Sequence, residues 1–80
     1  MTLAEAVVAR LYELCDERGV TINKICVISG VTQSTVSDIV NRSTRDPRVG
    51  TIKKLCDGME ISIRQFFDSE LFDNLEQELK

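Results

Sequence analysis

The sequence predicts an all-α domain, and three observations carry that reading. Its valines, isoleucines and leucines recur at three- and four-residue intervals instead of alternating, which is the helical period. Gly19 and Gly30 stand where apolar-periodic stretches end, and Thr21, Thr32 and Ser62 stand where others begin, the usual chemistry of helix termini. Eighty residues, 42% apolar and 29% charged, have the composition of one ordinary globular domain and are too few for two. A chain of this length buries only about 60% of its unfolded surface, so a partner subunit is expected to add to its stability.

The first helix is expected over residues 3–18, with Val7, Leu11, Leu14 and Arg18 on one stripe, Val8, Tyr12 and Cys15 beside it, and Gly19 after its end. A second runs over 22–29 under a Thr21 cap, turns Ile22, Ile25, Cys26 and Ile28 inward, and closes at Gly30. Only Gly30, Val31 and Thr32 separate it from a third helix over 33–41, capped by Thr32. The polar run 41–48 contains Pro47 and reads as a loop. A fourth helix over 49–59 presents Val49, Ile52, Leu55, Cys56 and Met59 as one buried face, with Gly58 weakening its last turn. Ser62 followed by Gln65 is a capping-box pattern that opens a short fifth helix, whose Phe66 and Phe67 complete the core. In the tail, residues 68–80, Leu71, Phe72, Leu75 and Leu79 fall on one stripe, which predicts a sixth, amphipathic helix.

Several function classes are excluded. The longest apolar run near the start, Ala6 to Ala9, is far below the 18 or more residues of a membrane span, so a cytoplasmic protein without a membrane partner is expected. Cys15, Cys26 and Cys56 are separated by 10 and 29 residues and there is no histidine, so no zinc-type ligand pairing exists and no metal or cofactor is expected. The odd thiol count suits reduced cysteines acting as small apolar side chains. Without a histidine to activate Cys15, and without a glycine-rich phosphate loop, the chain does not read as an enzyme, and no small-molecule substrate is evident.

Net charge is −3, but it is unevenly placed. Between Arg18 and Lys54 stand Arg18, Lys24, Arg42, Arg45, Arg48, Lys53 and Lys54 against Asp38 and Asp46, a local +5. From Glu60 onward the balance is −4. Screening beyond about 10 Å lets a polyanion feel the basic patch more than the distant tail. That basic segment coincides with two helices joined by a three-residue turn, the anatomy of a helix-turn-helix, whose second helix enters the DNA major groove. At about 100° per residue, Gln33, Ser34, Ser37, Asp38 and Asn41 share one polar arc of roughly 140°, opposite Val36, Ile39 and Val40. Gln can pair with adenine, Ser can donate or accept, and Asp can accept from cytosine.

The stretch from Thr21 to Asn41, TINKICVISGVTQSTVSDIVN, resembles the lambda-repressor-like family of Cro/C1-type, or XRE-type, transcriptional regulators. Residues 8–67 fit the family's five-helix domain, with Ser29-Gly30-Val31 at the turn, Gln33-Ser34 opening the recognition helix and Asp46-Pro47 before the fourth helix. The resemblance implies that Gln33, Ser34, Ser37 and Asp38 read base edges. It implies that Thr21, Asn23, Lys24, Thr32, Thr35, Asn41, Arg42 and Arg45 hold phosphates. The departure is Ile22, where many members carry Gln. Members bind as dimers to half-sites about 34 to 36 Å apart, so the chain is expected to be a homodimeric repressor on double-stranded DNA with a palindromic operator. Residues 1–67 are then the DNA-binding domain, and 68–80 are the dimerisation element through Leu71, Phe72, Leu75 and Leu79. The competing reading keeps the fold as a protein-interaction module, antitoxin-like or regulator-binding, with weak or no DNA binding. Asp38 and the negative net charge favour it.

Overall fold

Helix α1 (Leu3–Arg18) starts at a reciprocal cap. The Thr2 hydroxyl accepts from the Glu5 N–H at 3.2 Å and the Glu5 carboxylate accepts from the Thr2 N–H at 2.9 Å, satisfying two of the donors a helix start leaves free. The computed structural model describes residues 1–32, 34, 35, 37, 48–77 and 79. After α1 come α2 (Ile22–Ser29), α3 (Val49–Gly58), α4 (Ile63–Phe67) and a 3₁₀ turn, Glu70–Phe72. Ser34, Thr35 and Ser37 are also helical; the remainder of the helix expected over 33–41, and the Pro47 loop, lie outside the described residues. No strand occurs among the described residues.

The ends of α1, α2 and α3 share one device. Gly19, at φ 64°, follows α1, and Val20 N–H donates to the Cys15 carbonyl at 3.0 Å. Gly30, at φ 70°, follows α2, and Val31 N–H donates to the Cys26 carbonyl at 3.0 Å. Beyond α3 the left-handed position is Glu60, at φ 58°, and Ile61 N–H donates to the Cys56 carbonyl at 3.0 Å. These are Schellman closures, and the residue after each left-handed position, Val20, Val31 or Ile61, packs back on the core. Each cysteine thus supplies the carbonyl on which the chain closes as it reverses.

The core joins Val7, Leu11 and Leu14 of α1, Ile25 of α2, Ile52 and Leu55 of α3, Met59 and Phe66, with all three cysteines buried among them. Helix α2 packs along α3, α1 crosses α2, and α3 meets α4. At the α2–α3 crossing the backbone of Gly58 approaches Ser29 closely; a Cβ there would lie 3.1 Å from Ser29 Cβ and 3.3 Å from its Cα, and would collide with Oγ. Glycine in that turn, which weakens the helix, permits the contact.

Three expectations are corrected. Val49 is 68% exposed and Ile28 55% exposed, not core. Ile28 lies off the stripe of Ile22, Ile25, Cys26 and Ser29 that α2 turns inward, and Val49 is the first residue of α3. The tail is not an amphipathic helix over 68–80. Ser69 caps the N–H of Leu71, the chain makes the single 3₁₀ turn, and Leu75, Glu76 and Gln77 are irregular. An isolated helix of about a dozen residues is marginal. Aromatic packing is available instead: Phe72 meets Phe67 edge-on at 4.9 Å between ring centres and Phe66 at 6.4 Å. The 3₁₀ turn lies against α1, and Glu76 N–H donates to the Met1 carbonyl at 3.0 Å.

Candidate nucleic-acid interface

The interface is built from the start of α2 and the turn that follows it. Thr21 Oγ1 accepts from the Lys24 N–H at 3.1 Å, which fixes the first turn of α2 and leaves Thr21, Asn23 and Lys24 exposed. The exposed amino end of a helix favours an anion through its free N–H groups and dipole, and Lys24 adds a full charge. Thr21, Asn23, Lys24, Val27 and Val31 line one open groove. Ile22, in place of the family's frequent Gln, is half-buried against the core and makes an apolar anchor there.

After Gly30 the chain re-enters helix under Thr32, whose Oγ1 accepts from the Thr35 N–H at 3.3 Å. Thr32 Oγ1 also lies 2.8 Å from Thr35 Oγ1 and 3.4 Å from Ser34 Oγ, so the three hydroxyls orient one another. Thr32, Ser34 and Ser37 are exposed and Thr35 is half-buried. Ser34 and Ser37, three apart, stand on one face, and both are short enough to let a backbone approach a base edge. Of the other residues singled out in the sequence, Gln33, Asp38, Asn41, Arg42 and Arg45 lie outside the described residues.

The basic segment divides by use. Arg18, although exposed, is engaged within the fold, donating to the carbonyls of Leu14 and Met59 at 3.4 Å each, toward the ends of α1 and α3. Lys53 is paired with Asp57. Lys24, Arg48 and Lys54 are exposed. Sequence reasoning missed Arg10, which is only 9% exposed and ties α1 to the end of α4. Its one signal was a charge adjoining the apolar run of α1. The tail residues assigned to dimerisation separate in the same way: Leu71, Phe72 and Leu75 are half-buried, Phe72 in the aromatic cluster, whereas Leu79 is 88% exposed.

The three thiols have pKa values raised above their ordinary range, in each case chiefly by burial. Asp16 beside Cys15, Cys15 beside Cys26, and Asp57 beside Cys56 raise them further. They are core groups held neutral, which is the opposite of an activated nucleophile. No group of metal-ligating side chains occurs among the described residues. Nor is any described helix long and apolar enough to cross a membrane.

Two helices joined through a left-handed glycine, the second threonine-capped and presenting hydroxyls, define a helix-turn-helix. The chain belongs to the helix-turn-helix family of DNA-binding regulatory domains, whose model matches residues 11–66, and this bears out the resemblance to the lambda-repressor-like, XRE-type regulators. Among solved structures it is similar to the prophage Lp1 protein 11, at 32% identity over 94% of this chain and 99% of that one, with a TM-score of 0.84. No curated protein matches it in sequence.

Proposed function

We propose that the chain is a sequence-specific double-stranded DNA-binding transcriptional regulator, a repressor that occupies a palindromic operator as a dimer. The observation that carries this reading is the Thr32-capped helical turn with Ser34 and Ser37 exposed on one face, entered directly from an α2 whose amino end exposes Thr21, Asn23 and Lys24. Gln33, Ser34, Ser37 and Asp38 read base edges in this assignment. Thr21, Asn23, Lys24, Thr32, Thr35, Asn41, Arg42 and Arg45 hold the backbone, and occupancy of a promoter does the work without catalysis. The dimer contact is assigned to the tail. Leu79 supplies its exposed apolar group, the half-buried Leu71 and Leu75 add partly exposed apolar surface elsewhere in the tail, and Phe72 contributes by holding the tail to the domain.

One observation favours a second reading, a protein-interaction module of the same fold: Val27, 77% exposed, and Ile28 put apolar surface on α2. Binding to random duplex at two salt concentrations separates the two. The regulator loses affinity steeply with salt, because each phosphate contact releases counterions, whereas the interaction module binds little DNA at either salt. Selection from a random DNA pool then tests the operator: a two-fold symmetric consensus supports a dimer, and an asymmetric one removes it.

A further inference from the structure

We propose that the contact between Ser29 and Gly58 is a positioning device for DNA recognition, which sets the angle of the helix that Thr32 opens and makes residue 58 a determinant of sequence preference without touching DNA. The inference rests on the DNA-binding reading above. Ser29 is the last residue of α2 and Gly58 the last of α3, and the two backbones meet where a Cβ on residue 58 would lie 3.1 Å from Ser29 Cβ and 3.3 Å from Ser29 Cα. The Ser29 hydroxyl is buried there without a hydrogen-bond partner. It sits over the Gly58 hydrogen that a side chain would replace, the arrangement of a weak Cα–H···O contact. A helical glycine and an unpartnered buried hydroxyl are each unfavourable, and both occur at one crossing.

The position of that crossing gives it leverage. Ser29 is followed at once by Gly30 and the closure of Val31 N–H on the Cys26 carbonyl, and Thr32 then caps the next helical turn. That linkage is short and internally bonded, so a shift of the α2 terminus against α3 passes to Ser34 and Ser37 instead of being absorbed by a loop. Any side chain at residue 58 makes the Ser29 hydroxyl swing aside and, beyond that, requires the Ser29 Cβ and Cα to give way by a few tenths of an ångström, a shift that rotation of the hydroxyl does not relieve. Hydrogen bonds to base edges operate within a donor–acceptor range of only about half an ångström. Contacts to phosphates by long side chains tolerate such a shift better, so the effect falls on sequence preference more than on general affinity.

The test uses the full chain and a DNA site selected by the unaltered protein from a random pool. Gly58→Ala is compared with the double variant Ser29→Gly/Gly58→Ala, which reopens the space, at a temperature where circular dichroism shows each fully folded. In Gly58→Ala the ratio of affinity for the selected site to affinity for random duplex falls about tenfold, the size of one or two mismatched base contacts, and the double variant regains it. A purely structural role moves the melting temperature and leaves that ratio unchanged in the folded protein, and an unchanged ratio overturns the proposal. Should Gly58→Ala not fold, Ser29→Thr crowds the same contact with one methyl group from the other side and is judged by the same ratio. If the unaltered chain selects no DNA at all, the DNA-binding reading itself has failed, a result seen before any substitution is made.

Discussion

Arg10, in the buried face of α1, donates from Nε to the carbonyl of Phe66 at 2.7 Å and from Nη2 to the carbonyl of Gln65 at 2.8 Å. The Gln65 carbonyl also accepts from the Asp68 N–H that closes α4, at 3.3 Å, and the Phe66 carbonyl takes its bond from a side chain 56 positions upstream, so Arg10 completes that helix end. Glu13, one turn on, pairs with the same guanidinium. The arrangement holds Phe66, and through it the aromatic cluster of the tail, against α1. Arg10→Ala is therefore expected to destabilise the fold by about 2 kcal/mol, the scale of charge-assisted bonds lost from partly buried carbonyls. Chemical denaturation measures it; a loss below the scatter of surface substitutions would mean that water replaces the guanidinium at no cost.

Glu60 holds the left-handed position that Gly19 and Gly30 hold at the other two closures. A residue with a Cβ is disfavoured there by roughly 1 kcal/mol, and Glu60 is exposed, so its side chain adds little in return. Glu60→Gly is expected to raise the melting temperature by several degrees, about 4 to 8 °C per kcal/mol for a domain of this size. The gain is partly offset by the larger entropy of the unfolded glycine chain, and a lower melting temperature refutes the account.

Burial raises the pKa of all three thiols in the fold. Their contribution to stability is complete below the pKa of an unfolded thiol, about 8.5, because both states are then protonated. Above that value the unfolded chain loses protons that the folded chain retains, so stability falls as pH rises through the raised folded values. Denaturation midpoints should decline from pH 8.5 upward. An aromatic disulfide reagent at pH 8 should leave the native thiols unmodified and titrate three after unfolding; rapid native reaction contradicts their core placement.

Phe72 and Leu79 should respond oppositely. Phe72→Ala removes a half-buried ring from the Phe66–Phe67 cluster and is expected to lose about 2 kcal/mol of stability, below the 3 to 5 typical of a fully buried phenylalanine. Leu79→Glu should leave the melting curve of the monomer unaltered and shift sedimentation from dimer to monomer. A dimer that survives it places the interface elsewhere.

Lys24→Ala and Gln33→Ala distinguish grip from reading. The first should weaken all duplexes alike and reduce the slope of log affinity against log salt by about 1. The second should cost about 1 to 3 kcal/mol on the selected site and relax preference at one base position. A Gln33→Ala protein with unaltered preference would show that the reading face has been misassigned.

Most helix limits were legible because termini are written in local chemistry. Thr21, Ser62, Gly19 and Gly30 act through bonds to residues a few positions away, and the observed bounds of α1, α2 and α4 follow them. Glu60 was not legible as a closure, since a glutamate does not advertise a left-handed backbone. Of the candidate site, Thr21 and Thr32 as caps and Ser34 and Ser37 as an exposed face could be read from period and capping alone.

What the sequence by itself determined is the all-helical class, the limits of α1, α2 and α4, most of the buried positions and the family, because periodicity and capping are short-range properties of the chain. Only the tertiary structure decided that Arg10 is interior, that Arg18 serves Met59, that Val49 and Ile28 stay in solvent, and that the tail turns once and lays Phe72 on Phe67 instead of continuing as a helix. A helical stripe states which side seeks cover but not how far a neighbouring helix reaches. Whether a charge finds a carbonyl 56 residues away depends on where the packed helices bring it.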